Sequence, residues 1–261
     1  MSSCAECFRA ACLRSDAIDL LERRGVGPGR AGEMLQGDPE ALFKEFGAAP
    51  DCPIDDLGDC WMICRHDDAY PMGLTAFERE SDIPHVIFGR GDRSVLAEAA
   101  AGRAIALVGA RRASAYGREV AYQLASEAAA SGLTVVSGMA LGIDGAAHRG
   151  ALQGGGPTIA VLAGGPERAY PRSHRLLYDQ LIERGCVISE NPPGSEARRW
   201  AFVARNRIIA ALSELTVWVE GSESSGARHT VEFADQLGRI VGVVPGPVTS
   251  PMSAGPNRLL A

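Results

Sequence analysis

The sequence predicts an α/β protein built on a doubly wound, mostly parallel sheet, and three observations carry that prediction. From Ile105 onward, six apolar runs fall near residues 105–109, 133–137, 158–163, 186–189, 215–220 and 239–244. They alternate with five amphipathic segments near 115–130, 143–153, 174–184, 204–213 and 226–237. The runs are continuously apolar, as expected of strands covered on both faces, and regular strand–helix alternation places helices on each side of a parallel sheet. Ligands of such sheets sit outside the carboxyl ends of the strands, so function is to be sought at Gly109–Ser114 and Ser137–Asp144.

Ahead of this core the elements change character. Residues 15–46 read as short helices joined by Gly25-Val-Gly-Pro-Gly, which predicts a small N-terminal helical domain over 1–50, of helix-hairpin-helix or SAM-like type. The amides of such a turn can hold a phosphate, but with Glu22 and Glu33 beside it the turn reads as a plain helix connector. The Pro/Gly/Asp-rich stretch 48–60 reads as a linker or surface loop. Trp61-Met-Ile-Cys and His85-Val-Ile-Phe-Gly read as strands of an antiparallel extension, so residues 57–261 form one extended Rossmann-like domain. The Pro/Ser/Gly-rich tail from Pro247 reads as irregular.

A chain of 261 residues with 46% hydrophobic and 22% charged residues has the composition of a soluble globular protein. The start carries no basic region followed by an apolar stretch, and no run approaches membrane-spanning length, so a cytoplasmic protein is expected. In a reducing compartment seven cysteines argue against disulfides and raise the question of metal. Cys4-x-x-Cys7 and Cys60-x-x-x-Cys64 could supply thiolates, with His66 as a spare ligand. The second pair lacks the usual glycine of a zinc knuckle, and the expectation is ordinary thiols with no metal. The net charge of -6 is unevenly spread: residues 1–100 carry 10 cations against 19 carboxylates, whereas 101–261 carry 16 arginines against 13. Attraction for anions therefore belongs to the second part, in the residue type that grips phosphate bidentately.

The loops at the carboxyl edge narrow the chemistry. Gly109-Ala-Arg-Arg-Ala-Ser is not Gly-x-Gly-x-x-Gly, and Ser137-Gly138 stands where a dinucleotide fold presents an acid to the ribose, so a nicotinamide dehydrogenase is disfavoured and no cofactor is implied. The turn does offer Ser114 as a helix cap with Arg111 and Arg112 near free amides, a phosphate seat in prospect. Asp144 and His148 share a helical face, but without a nucleophile they read as a cap and its satisfying partner. Arg168, Tyr170 and Glu190 are rim candidates. Arg205 and Arg207 flank Asn206 at a spacing that puts them on different faces, so one is expected to reach ligand and the other to pair internally. Ser225, Gly226 and Arg228 lie in a Ser/Gly loop that opens a helix, again a phosphate-binding arrangement. Arginine, glycine and serine converge without a Walker sequence or a metal-ligand cluster, a pattern suited to holding a phosphodiester backbone. Aromatic content is 6%, which leaves stacking to residues such as Tyr116, Tyr170 and Phe202.

Taken in order, the motifs from Gly109 to Gly117, Ser137 to His148, Tyr170-Pro, Ser189-Glu-Asn-Pro-Pro-Gly, Phe202-Val-Ala-Arg-Asn-Arg-Ile-Ile, Ser225-Gly-Ala-Arg-His-Thr and Val244-Pro-Gly resemble those of the DprA/Smf family of bacterial DNA-processing proteins. Tyr70-Pro and Ile83-Pro-His-Val fit the family's segment ahead of the Rossmann core, and the likeness covers about residues 60–260. The resemblance implies a non-enzymatic protein, commonly dimeric, that binds and protects single-stranded DNA entering during natural transformation and helps load RecA recombinase. It puts the DNA-contacting arginine at Arg111 and the pocket serines and glycines at Ser137, Gly138, Ser225 and Gly226. Arg228-His229 stand where the family has an apolar pair, Val203 replaces a proline, and Lys44 is the sole lysine, so pocket cations must be arginines. The chain ends just after Asn257-Arg-Leu-Leu, so the family's optional winged-helix domain is expected to be missing. The enzyme alternative, a nucleotide-binding or nucleoside-monophosphate phosphoribohydrolase relative, needs a Pro-Gly-Gly-x-Gly-Thr-x-x-Glu loop. Gly221-Ser-Glu-Ser-Ser-Gly does not reproduce it.

Overall fold

The computed structural model describes Cys7, Phe8, Ala11, Cys12 and residues 57–260. The rest of the predicted N-terminal helical domain, with its Gly25-Val-Gly turn, and the linker up to residue 56 lie outside the described residues. Among the described residues, eight strands form one sheet in the order β1-β2-β6-β5-β4-β3-β7-β8. β1 (Trp61–Cys64) pairs antiparallel with β2 (Val86–Gly91), which pairs antiparallel with β6 (Cys186–Ser189). β5 (Thr158–Val161), β4 (Thr134–Ser137), β3 (Ala104–Gly109), β7 (Leu215–Glu220) and β8 (Ile240–Val243) continue from β6 in parallel. The antiparallel extension and the doubly wound core follow the sequence pattern closely.

Successive strand residues point to opposite faces, and both faces are buried. Ala106, Val108, Val136, Ile159, Ile188 and Trp218 face α1 (Ser94–Ala100), α5 (Arg199–Ala211) and α6 (Ala227–Gln236) in one core. Leu107, Val135, Val217 and Val219 face α2 (Ala115–Ala130) and α3 (Ile143–Gln153), while Ala160 and Val187 face α4 (Arg175–Arg184). On the β1–β2 extension, Cys7, Phe8, Ala11 and Cys12 pack as one helical stripe against Cys64, Val86 and Phe88, with Phe8 edge-on to Phe88 at 5.6 Å.

Three elements depart from the expectations. α1 was not evident in the pattern because it is only seven residues long and is started by Asp92, whose carboxylate accepts from the amide and hydroxyl of Ser94 at 2.9 and 2.7 Å. α5 begins at Arg199, five residues earlier than the apolar spacing suggested. The tail is helical over Ala254–Leu260, here α7, because Pro256 falls in the first turn, where no amide is needed for the helical ladder. Among the described residues no helix is long and apolar enough to cross a membrane.

α2 and α3 meet almost backbone to backbone. Ala121, Ala125 and Ala129 present only methyl groups to the seam. A Cβ on Gly150 would lie 2.1 Å from the carbonyl oxygen of Tyr122, and one on Gly154 would lie 2.3 Å from that of Ser126. Helix propensity favours alanine over glycine by about 1 kcal/mol, but overpacking costs about 1–3 kcal/mol. Gly150→Ala is therefore expected to destabilise the protein, read as a lower urea midpoint; an unchanged or raised midpoint would show that the seam yields.

Candidate functional site

The six parallel strands were laid down outward in two directions from β3, so the chain leaves β3 and β7, neighbours in the sheet, towards opposite sides. A crevice must form where they part. It is a cavity of about 480 Å³, walled by the loop after β3 with Arg111 and Arg112, by Asp144 of α3, by Phe202, Arg205 and Asn206 of α5, and by Ser225, Gly226 and His229 at the start of α6.

The predicted phosphate seat at the head of α2 is already taken. The Glu220 carboxylate, buried at the end of β7, accepts from the Ser114 amide at 2.8 Å. Ser114 also caps α2 through its hydroxyl, which accepts from the Gly117 amide at 3.0 Å. A Cβ on Gly117 would lie 2.3 Å from Glu220 Oε2, so only glycine admits that carboxylate. An internal anion thus satisfies the positive end of the helix, and the serine is committed to the fold.

In the wall of the cavity lies a second internal pair. Asp144 accepts from the amides of Gly138 and Ala140 at 3.2 and 3.3 Å and stands 3.8 Å from Arg205 Nη2. Arg205 also donates to the carbonyl of Val161 at 2.9 Å. Burial pushes the Asp144 carboxyl up, while Arg205, the two amides and Arg111 pull it back; burial pushes Arg205 down, while Asp144 supports its charge. Gly138 is required because a Cβ there would fall inside the Arg205 guanidinium. Ser137 lies deeper still and donates to the carbonyl of Leu107 at 2.6 Å. Ser137 and Gly138 are thus parts of the frame, not of the surface.

Asp144 and His148 do not pair, contrary to expectation. Thr158 Oγ1 donates to the carbonyl of Val135 at 2.7 Å and so accepts from His148 Nδ1 at 2.8 Å. That fixes the proton on Nδ1 and leaves Nε2 buried without a partner. Burial pushes His148 down to about 3, so the ring is neutral and no acid/base couple exists here.

Of the other predicted residues, Arg207 is buried and grips Glu190 with both Nη atoms, at 2.7 and 2.5 Å, while its Nε donates to the carbonyl of Asp82 at 2.8 Å. It is the internal pair foreseen for one of the two arginines. Arg228 turns away from the cavity onto Glu232, at 2.7 Å, and lines a different depression with Trp218 and Arg258. Its neighbour His229 enters the cavity instead. Arg168 pairs with Glu167 at 3.2 Å beside Arg90 and Gly194, also outside the cavity. Arg111, Arg112, Arg205, Ser225 and Gly226 are brought together as predicted. Asn206, whose amide donates to the Gly226 carbonyl at 3.1 Å, and His229 were not foreseen as site residues, because helix phase decides which neighbour faces inward.

The rim carries the exposed chemistry. Among the described residues, Arg111 and Arg112 form no ion pair. The Arg111 guanidinium lies over the Phe202 ring at 5.0 Å, and Phe202 meets Tyr170, 45% exposed, at 5.2 Å between centroids. A cation and two ring faces thus line up at the mouth of the cavity.

Fold and crevice together define a Rossmann-like α/β protein with a cavity at the switch point of its sheet. More narrowly, the chain belongs to the DNA recombination-mediator protein A family, whose model matches residues 61–261. It is 48% identical over 250 residues to a putative DNA processing protein DprA of Mycobacterium tuberculosis, covering 94% of this chain and 56% of that protein. It is 40% identical over 191 residues to DNA processing protein DprA of Bacillus subtilis, covering 73% of this chain and 62% of that one. The chain thus spans a little over half the length of these relatives. The solved structure of DprA from Streptococcus pneumoniae superposes with a TM-score of 0.76 at 28% identity, covering 99% of this chain and 90% of that one. A structure of DNA processing protein A from Helicobacter pylori, described for its single-stranded DNA binding mode, gives 0.68 at 25% identity, covering 77% and 86%.

His148 also generates a stability prediction. Its folded pKa lies below the unfolded value of 6.5, so its contribution is complete above pH 6.5 and is lost as the pH falls towards 3. The slope approaches about 1.4 kcal/mol per pH unit. Urea unfolding across that range is expected to show a shallower acid loss in His148→Gln than in the wild type; identical slopes would place the acid sensitivity elsewhere.

Proposed function

We propose that this protein binds single-stranded DNA across the rim of the switch-point cavity. In this reading it protects incoming DNA in the cytoplasm and delivers it to RecA recombinase during natural transformation, as a homodimer and without catalysing a reaction. The observation that carries the reading is the Arg111–Phe202–Tyr170 array. A guanidinium supplies a bidentate phosphate contact, and the exposed Tyr170 ring, packed against half-buried Phe202, accepts an unstacked base of any sequence, which duplex DNA does not offer. The bound state of the cavity floor supports binding over cutting: the internal carboxylates of Asp144 and Glu220 are occupied by Arg205 and by backbone amides. Family membership and the Helicobacter pylori structure support the nucleic-acid class of the ligand. The parts concerning RecA and transformation rest on the family alone. Exposed apolar side chains late in the domain, Ile240, Leu259 and Leu260, offer a surface for a second copy.

Fluorescence anisotropy with labelled oligothymidine and with duplex, at two salt concentrations, tests the reading. Salt-sensitive preference for the single strand is expected, and equal or absent binding would overturn it. Arg111→Ala is expected to weaken binding at least tenfold, the loss of a charge-assisted contact of about 1.5–3 kcal/mol. Removing Arg112 as well should flatten the salt dependence by about 0.7 per lost phosphate contact. Arg228→Ala, outside the cavity, should bind as the wild type does.

A further inference from the structure

Far from the cavity, on the outer face of the β1–β2 extension, a donor near the start of the chain meets two at the end of β1. Cys7, Cys64 and His66 place one ligand atom each within 4.8 Å of one another, and Cys7 Sγ lies 3.3 Å from His66 Nδ1. Among the described residues no other group of three such donors is found. Bond lengths of about 2.0–2.3 Å at tetrahedral angles separate zinc ligands by roughly 3.3–3.8 Å; Cys7 and His66 already stand at that spacing, and the Cys64 sulfur lies within 4.8 Å of both. The donor set is two sulfurs and one imidazole nitrogen, the borderline-soft combination that selects zinc over magnesium or calcium.

The surroundings of the three donors are asymmetric. Cys7 and Cys64 are buried in a cluster with Phe8, Val86 and Phe88, which keeps water from the sulfurs, whereas His66 is exposed and closes the group from outside. The arrangement revises the sequence pairing. Cys60, expected as the partner of Cys64, is not in the group, and burial, with Glu167 nearby, pushes its thiol up to about 11. Cys4, which completes a Cys-x-x-Cys spacing with Cys7, lies outside the described residues.

We propose that Cys7, Cys64 and His66 bind a Zn2+ ion that fastens the N-terminal residues to the first strand of the sheet. The two thiols lose their protons on binding and the imidazole binds neutral through Nδ1, which leaves a site of no net charge. The three donors found among the described residues leave one tetrahedral position for water or a further donor. The ion does not enter the DNA-binding cavity, so the proposal stands or falls independently of the proposed function.

The test uses the full chain, produced without a polyhistidine tag, reduced and stripped with a chelator, then titrated with Co2+ as a spectroscopic stand-in. Thiolate-to-cobalt charge-transfer bands and the strong visible bands of tetrahedral cobalt are expected, both erased by Zn2+. His66→Ala, which removes an exposed side chain and leaves the core intact, should weaken cobalt binding by roughly tenfold or more, as loss of a ligand exceeds loss of its supporting partner. Cys60→Ser should keep the bands. The proposal is overturned by reduced wild type without charge-transfer bands, by His66→Ala binding as tightly as wild type, or by a folded Cys60→Ser that loses the bands.

Discussion

The carboxylate of Glu220 on the head of α2 is the contact on which the cavity depends. A helix start leaves amides unsatisfied and carries positive potential, and at a switch point it faces the ligand. Here the last residue of β7 supplies the anion, and Glu220 also accepts through its carbonyl from the Ala110 amide at 2.7 Å. The two diverging strands are thereby tied across the crevice, and the place where a mononucleotide's phosphate would settle is closed. Cations left for an external anion stand further out, on the loop after β3. In the proposed reading, such a rim engages a chain laid across the opening in preference to a small molecule sunk into it.

The arginines divide along the same lines. Residues 101–261 hold 16 of them, and their excess over carboxylates suggested an anion-binding surface. Much of that charge is spent internally. Arg205 and Arg207 are buried against Asp144 and Glu190, and Arg228, Arg239 and Arg258 pair with Glu232, Glu214 and Glu223. Buried guanidinium pairs are costly to desolvate, and their value lies in fixing how loops from separate strands meet. Arg111 and Arg112 are what remains at the rim.

The strands and most helices were legible because hydrophobic periodicity is a local signal, and it placed the ends of β3, β6, β7, α2 and α3 within a residue. The division of labour among site residues was not. Arg207 takes a carbonyl 125 positions away and Ser114 a carboxylate 106 positions away, and no local pattern reports such partners. Ser137 and Gly138 belong to a conspicuous motif, yet the motif's work is to seat Arg205 and bond Leu107. The exchange of Arg228 for His229 is a matter of helix phase, one residue of rotation. Cys64 and His66 met Cys7 through tertiary packing, where sequence spacing pointed to Cys60.

The seam between α2 and α3 carries a consequence for how this sequence can change. Most core positions absorb a new methyl group by turning a neighbouring side chain to another rotamer. Gly150 and Gly154 face carbonyl oxygens, and the alanines opposite have no rotamers to turn. Accommodation must come from moving a whole helix, together with the loop that each one begins. Accepted substitutions along the seam should therefore arise in compensating pairs, and the history of this interface should be one of coupled steps.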